Sequence, residues 1–403
     1  MNRWLFYLLV AIPVALLAEV LHAPPLITFM LASLGLIPLA GLIGAATEVL
    51  AERMGHSVGG LLNATFGNAA EIIIGITALA AGLRDVVLAS LAGSIISNIL
   101  LVLGSSMLLG GWRYRRQVFD RRIAGQYAIM LALVVIGLAI PALLATVGES
   151  SKPGDQVVSG AALQHLSVGV AIVLLLCYVA YISSSIFGLR TISRSQSDES
   201  AAQVDNIPQA GKPEQPEHKD QPASQETAQK PEPIQPAART DKKSLQALWT
   251  TTLWMPLVVL AAATAVTAVV SEILVGSIEP VTTEIGLNPL FVGLIVLPIV
   301  GNAAEHFSAI TSATRNHMEI SLAITAGSSI QVALFVAPLL VLVGPLVGTP
   351  LNLTFSLFEI TLFALVAGLY ALICLDGEST WLEGMLLCGF YVILALGAFV
   401  HVV

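Results

Sequence analysis

Two glutamates lie where glutamates are costly. Glu71 and Glu305 each sit inside a long apolar run, and each closes the same five-residue string: Gly67-Asn68-Ala69-Ala70-Glu71 and Gly301-Asn302-Ala303-Ala304-Glu305. A charged side chain at the centre of a bilayer costs about 2.5–3.5 kcal/mol on insertion scales, so an acid at such a position needs a reason. One isolated glutamate is explained by a protonated carboxyl bonding a neighbouring helix. Two at matched positions are not explained that way. Brought to one site they repel when ionised, and so hold protons until a divalent cation replaces them. One carboxylate pair then serves two ligands that exclude each other, as exchange of protons against a cation requires.

The spacing around the strings argues against coincidence. Gly93-Ser94 follows Gly67 by 26 residues, and Gly327-Ser328 follows Gly301 by 26. Upstream, Thr47-Glu48-Val49-Leu50 is matched by Ser271-Glu272-Ile273-Leu274, with a connection about ten residues longer in the second copy.

The elements that must position these residues follow from composition. The chain has 403 residues, 56% hydrophobic and only 11% charged, with mean hydropathy +0.85. Soluble domains carry about a quarter charged residues, so this chain cannot cover a water-facing surface. That excludes a cytosolic globular enzyme and a disordered protein, and a net charge of −8 leaves no basic stripe for nucleic acid. Apolar runs of about 20 residues instead predict spanning helices. Eleven are expected, near 5–21, 26–51, 57–82, 86–110, 120–146, 160–189, 246–276, 287–314, 318–343, 351–375 and 380–402. With Met1 inside, only Arg84 and Lys152 of the 18 Lys and Arg residues fall outside. This positive-inside pattern is anchored by Arg113, Arg115, Arg116, Arg121 and Arg122 and puts Val403 outside.

The expected fold is therefore an all-α polytopic membrane protein. It comprises an extra N-terminal transmembrane helix (1–25), a first five-helix repeat (26–189), a disordered cytoplasmic linker (190–245) and a second five-helix repeat (246–403). Five is odd, so the repeats enter the membrane from opposite sides, and inverted repeats place a binding site at their interface near the midplane. The linker expectation rests on seven prolines and eight glutamines between Gln196 and Lys243, a composition that buries too little apolar surface to fold alone. The N-terminal apolar stretch lacks a small-residue cleavage site and is read as a retained helix. Cys177, Cys374 and Cys388 lie in apolar runs without a CxxC pair and are read as small hydrophobes.

The paired GNAAE strings, with GSIISN over Gly93 to Asn98 and GSSIQ over Gly327 to Gln331, resemble the α-repeats of the Ca²⁺/cation antiporter superfamily. Among its branches they are most similar to the cation/proton exchangers (CAX), the Ca²⁺/H⁺ antiporters. The resemblance covers both membrane halves and implies a secondary transporter, not an enzyme, that moves Ca²⁺ and H⁺ and takes no cofactor. Ca²⁺ accepts six to eight oxygens, more than two carboxylates supply. Asn68 and Asn302, three residues before each glutamate on the same helix face, are suitable further ligands. Gly67 and Gly301 loosen the backbone there, and Pro298 adds a break in the second copy. Ser94, Ser97 and Asn98, with Ser328, Ser329 and Gln331, offer a second tier of oxygens. Each serine is equally suited to bonding between helices.

His306 follows Glu305 and suits a proton relay, although its repeat partner is Ile72, which does not titrate. An interhelical hydrogen bond is its plainer role. Glu48 and Glu272 close their segments and suit cation capture or gating at each mouth. Glu359, expected well inside the tenth segment, suits a proton path or packing, whereas Glu19 and Glu383 near segment ends are read as structural.

The alternative within the superfamily is a Na⁺-coupled Ca²⁺ exchanger. Those branches resemble G-[ST]-S-x-P-E, with hydroxyls where this chain has Gly67, Asn68, Gly301 and Asn302, and tend to carry an acid where this chain has Val332. A cation channel is the alternative from another class, but no filter segment is visible. Intramembrane hydrolysis lacks HExxH and GxSxG. The lipid bilayer is the expected environment, and an oligomer is compatible with the sequence. Short connections and no recognisable targeting peptide point to a prokaryotic inner membrane, with a vacuolar membrane as the alternative.

Overall fold

The computed structural model describes residues 7–149, 160–204 and 254–400. The apolar runs fold as helices: α1 (Ala11–Val20), α2 (Pro25–Phe66), α3 (Ala69–Ala80), α4 (Arg84–Tyr114), α5 (Arg121–Glu149), α6 (Gly160–Val204), α7 (Trp254–Ile285), α8 (Pro289–Gly301), α9 (Ala303–Ala313), α10 (Met318–Val347), α11 (Leu357–Ile373) and α12 (Trp381–Val400). Strands β1 (Arg116–Val118) and β2 (Glu378–Thr380) pair antiparallel, with Gln117 opposite Ser379. Seven helices are long and apolar enough to cross a membrane, and α8 with α9 makes an eighth span bent by 63°. Three more expected spans coincide with the shorter apolar helices α1, α3 and α11.

Several boundaries differ from the sequence expectation. The backbone is helical throughout α2, yet the chain reverses within it. A Cβ on Gly59 would press on the backbone of Ala51, eight residues back, which a straight helix would hold about 12 Å away. The reversal falls where the gap between the second and third segments was expected. The third segment is then interrupted at Gly67-Asn68, where Asn68 leaves helical geometry (φ −100°, ψ 18°). The eighth is interrupted at the matched position, Asn302 (φ −93°, ψ 9°). The tenth begins late, at Leu357, because residues 348–356 run without helix after the left-handed Gly348 (φ +82°). Helix α6 runs on to Val204, into the start of the stretch expected as linker; the remainder of that stretch, 205–245, lies outside the described residues.

Burial separates centre from perimeter. The apolar window of α4 is 89% buried, against 22% for α6 and 28% for α12. Ile129, Leu133, Ile136 and Ile140 on α5, like Ile393 and Leu396 on α12, point outward, as a lipid-facing surface requires. At the centre α4 crosses α8 at backbone contact. A Cβ on Gly93 would collide with the carbonyl of Leu294, and one on Gly293 with Ala89 and the carbonyl of Val86. Only glycine admits that approach. Both α4 and α10 carry a π-helical turn, Asn98–Leu103 and Val332–Val336. These begin 234 residues apart, the offset of the two GNAAE strings, and such turns recur at functional sites.

Candidate functional site

The two interrupted helices meet at their breaks. Glu71 stands in the first turn of α3 and Glu305 in the first turn of α9, each beside backbone amides left without intrahelical partners. The Glu71 side chain lies over Gly301, in van der Waals reach of the place a Cβ there would occupy. The two carboxyls are close enough to interact as charges. Gly301 therefore has a second task beyond loosening its helix: it clears the space that the acid of the other half fills.

The amides and hydroxyls around the pair bond across the two halves. Asn68 Nδ2 donates to Gln331 Oε1 at 2.7 Å. Asn302 Nδ2 donates to Ser94 Oγ and to the carbonyl of Pro298, both at 3.2 Å. Asn98 Nδ2 donates to Ser328 Oγ at 3.0 Å, and the Ser328 hydroxyl lies beside the Glu305 carboxyl. The chain Asn98–Ser328–Glu305 thus aims a hydroxyl of α10 at the acid of α9 by means of an amide from α4. Asn68, Asn98, Asn302, Ser94 and Ser328 are all buried, so each of these bonds replaces one that water cannot supply.

At the site Glu71 Oε2, Glu305 Oε2 and Asn302 Oδ1 are buried without a hydrogen-bond partner. Orphaned oxygens are costly, and a cluster of them beside two carboxyls is what a hard cation or a proton satisfies. Among the described residues no group of three His, Cys, Asp or Glu converges. A cation held at this pair therefore takes its further ligands from amide, hydroxyl or main-chain oxygens.

The structure thus assembles Glu71, Glu305, Asn68, Asn302, Ser94, Asn98, Ser328 and Gln331. Ser97 and Ser329 are buried nearby but donate to main-chain carbonyls, Ser97 to Ser94 at 3.4 Å and Ser329 to Thr325 at 2.9 Å and Ile95 at 3.4 Å. His306 is half-buried, and its Nε2 has no hydrogen-bond partner. Glu48 and Glu272 are exposed, next to the buried Thr47 and Ser271. Glu359 departs from expectation. It is the third residue of α11, where its carboxylate and Ser356 form a capping box, so it closes a helix end. Glu383 caps α12 by accepting from Thr380 N at 2.8 Å, a structural role. Sequence reasoning missed the carbonyls of Pro298 and Ile95, because a main-chain acceptor has no residue-type signature.

Apolar helices around a buried acid pair, with lipid-facing side chains outside, define an integral membrane protein with a polar centre. The chain belongs to the sodium/calcium exchanger protein family, which it matches over residues 24–187 and 255–400. It is 40% identical to a Ca²⁺/H⁺ antiporter of Aphanothece halophytica, covering 99% of this chain and 97% of that one. It is 36% identical to the Ca²⁺/H⁺ antiporter ChaA of Bacillus subtilis, covering 99% of each. A vacuolar calcium ion transporter of Schizosaccharomyces pombe is 34% identical over the whole of this chain and 86% of the relative. Among solved structures it resembles the Ca²⁺/H⁺ antiporter YfkE, with TM-score 0.74 and 33% identity over 99% of both chains. An H⁺/Ca²⁺ exchanger, CAX, shares the fold at TM-score 0.65 and 14% identity, over 98% of this chain and 87% of that one. The resemblance carried by the paired strings therefore holds.

Proposed function

We propose that the chain is a secondary antiporter that exchanges Ca²⁺ for protons by alternating access, with Glu71 and Glu305 as the shared site. The observation that carries this is the meeting of the two acids, one from each string, with Glu71 seated over Gly301 and each carboxyl keeping one unpartnered oxygen. The family and the names of its relatives support the ion pair. Protonated, the carboxyls are neutral and cross apolar surroundings cheaply. Ionised, they need a divalent cation to offset their repulsion. The site is therefore stable with protons or with Ca²⁺ and unstable empty, which couples the two fluxes.

Reconstitution tests this reading. In proteoliposomes an imposed pH gradient should drive Ca²⁺ uptake, and an imposed Na⁺ gradient at uniform pH should not. Uptake driven by Na⁺ alone would make the chain a Na⁺-coupled exchanger, and uptake with no counter-ion gradient would make it a channel.

The same proposal includes eleven spans arranged as two inverted repeats, 26–189 and 246–403, joined by a cytoplasmic linker. The matched helix breaks at Asn68 and Asn302 and the matched π-helical turns support it. A tag placed after Val403 should be reached only from the side opposite the linker. A tag reached from the linker side would overturn the inversion.

A further inference from the structure

On the side of the site away from the acid pair, one buried amide joins the two halves. Gln117, in β1, is 1% exposed. Its Nε2 donates to the carbonyl of Ala313 at 2.8 Å and to Asn316 Oδ1 at 3.1 Å. Its Oε1 packs against Gly110 of α4, where a Cβ would collide with it. Ala313 is the last residue of α9, the 11-residue helix whose first turn presents Glu305. At its other end α9 is bent by 63° from α8, and its cap residue Asn302 makes no bond to the helix's own amides but donates to Ser94 Oγ of α4 at 3.2 Å. A rigid helix of this length turns a small displacement of one end into a tilt of the other, about 12 Å away. Ala313 is thus a second point, besides Asn302, from which the orientation of Glu305 is set. A second hold, from Ser321 Oγ to the carbonyl of Ala309, steadies α9 against α10 but does not tie it to the first half.

The opposite half lacks this device. By the 234-residue offset, position 117 is matched by Leu351 and Ala313 by Leu79, both apolar and buried. At Leu79 the end of α3, which carries Glu71, is therefore packed by aliphatic side chains, whereas the end of α9 is fixed by directional hydrogen bonds. Around Gln117 the charged groups are Arg116, paired with Glu378 across the strands, and Glu319, which accepts from Asp120 N. None of these touches the site.

We infer that Gln117 is a positioning residue for Glu305: it holds the end of α9 so that this carboxyl faces Glu71, and so sets cation affinity without touching the ion. This rests on the two-glutamate site proposed above. The test is Ca²⁺/H⁺ exchange by the full chain in proteoliposomes, reading KM for Ca²⁺ and maximal rate separately. Gln117→Leu removes both bonds, and Gly110→Ala presses a Cβ onto the Gln117 carboxamide and to 3.0 Å from the Ala313 carbonyl, disturbing the same joint without altering Gln117. Both should raise KM about five- to tenfold, the effect of losing one or two net hydrogen bonds, with the maximal rate per folded protein within about twofold. Arg116→Gln, which breaks the ion pair of the same two strands and leaves Gln117 in place, should leave KM unchanged. An unmoved KM in both Gln117→Leu and Gly110→Ala, or an equal rise in Arg116→Gln, overturns the inference. Should Gln117→Leu not fold, Asn316→Gly, at an exposed position with left-handed backbone (φ +66°) that glycine adopts freely, removes one acceptor and is judged by the same split. Glu305→Gln is run alongside. If exchange survives in Glu305→Gln, the site itself is wrong. If exchange is lost there while KM is unmoved in the Gln117 variants, only the positioning role falls.

Discussion

Glu71→Gln and Glu305→Gln should each abolish Ca²⁺/H⁺ exchange while leaving the protein folded. Glutamine keeps the shape that fits over Gly301, and at position 305 it still lies beside the Ser328 hydroxyl. What it loses is the negative charge and the titrating proton. Removing one partner from a buried charge arrangement typically costs about 2–5 kcal/mol, so Ca²⁺ affinity should fall by at least about 30-fold. The proton flux should vanish as well, because a single remaining carboxyl cannot trade two protons for one divalent cation. Isothermal titration with Ca²⁺ and flux measurements on the same preparations give both numbers. A Gln variant that binds and exchanges normally would remove the shared site and leave only the fold.

Wild-type affinity should depend steeply on pH. Ca²⁺ and protons compete for the same oxygens, so binding of the cation releases protons. If both carboxyls must be ionised, the apparent dissociation constant rises up to about 100-fold for each unit of acidification while both are protonated, and flattens once both are ionised. The sign is fixed by the competition: Ca²⁺ is captured on the alkaline side and released on the acidic side. In Glu71→Gln the remaining dependence should drop to at most about tenfold per unit, since one proton is left to compete. Measuring Ca²⁺ binding across pH for wild type and both Gln variants checks the slope and its halving together. Binding indifferent to pH would separate the proton path from the Ca²⁺ site.

The chemistry was easier to read in the sequence than the geometry. Glu71, Glu305 and the asparagines three residues before them announce themselves by repetition in apolar surroundings, because composition alone makes such residues expensive. Which half each asparagine bonds to was not readable: Asn68 reaches Gln331 and Asn302 reaches Ser94, a pairing set by how helices cross. Pro298 suggested a break, yet the bend falls at Asn302, whose own N–H still reaches the carbonyl of Pro298. The start of α11 was misjudged because hydropathy counts Leu351, Leu353 and Phe355 as apolar without asking whether their backbone is helical. That error placed Glu359 inside a helix it caps. The three-residue strands and the π-helical turns are too short to leave a period in the sequence. Gln117 lay in an arginine-rich connection and had no signal beyond its setting.

The crossed amides have a consequence for how such a chain can change over time. Asn68 of one half is oriented by Gln331 of the other, and Asn302 by Ser94. Each asparagine thus takes part of its orientation from the other half, although Asn302 also donates to the Pro298 carbonyl of its own. A replacement at 68 alone strips Gln331, 263 residues away in sequence, of its donor, and one at 302 strips Ser94 of the amide that reaches it. Changes near one end of the chain are therefore judged at the other, and the polar centre binds distant stretches of sequence to a common fate.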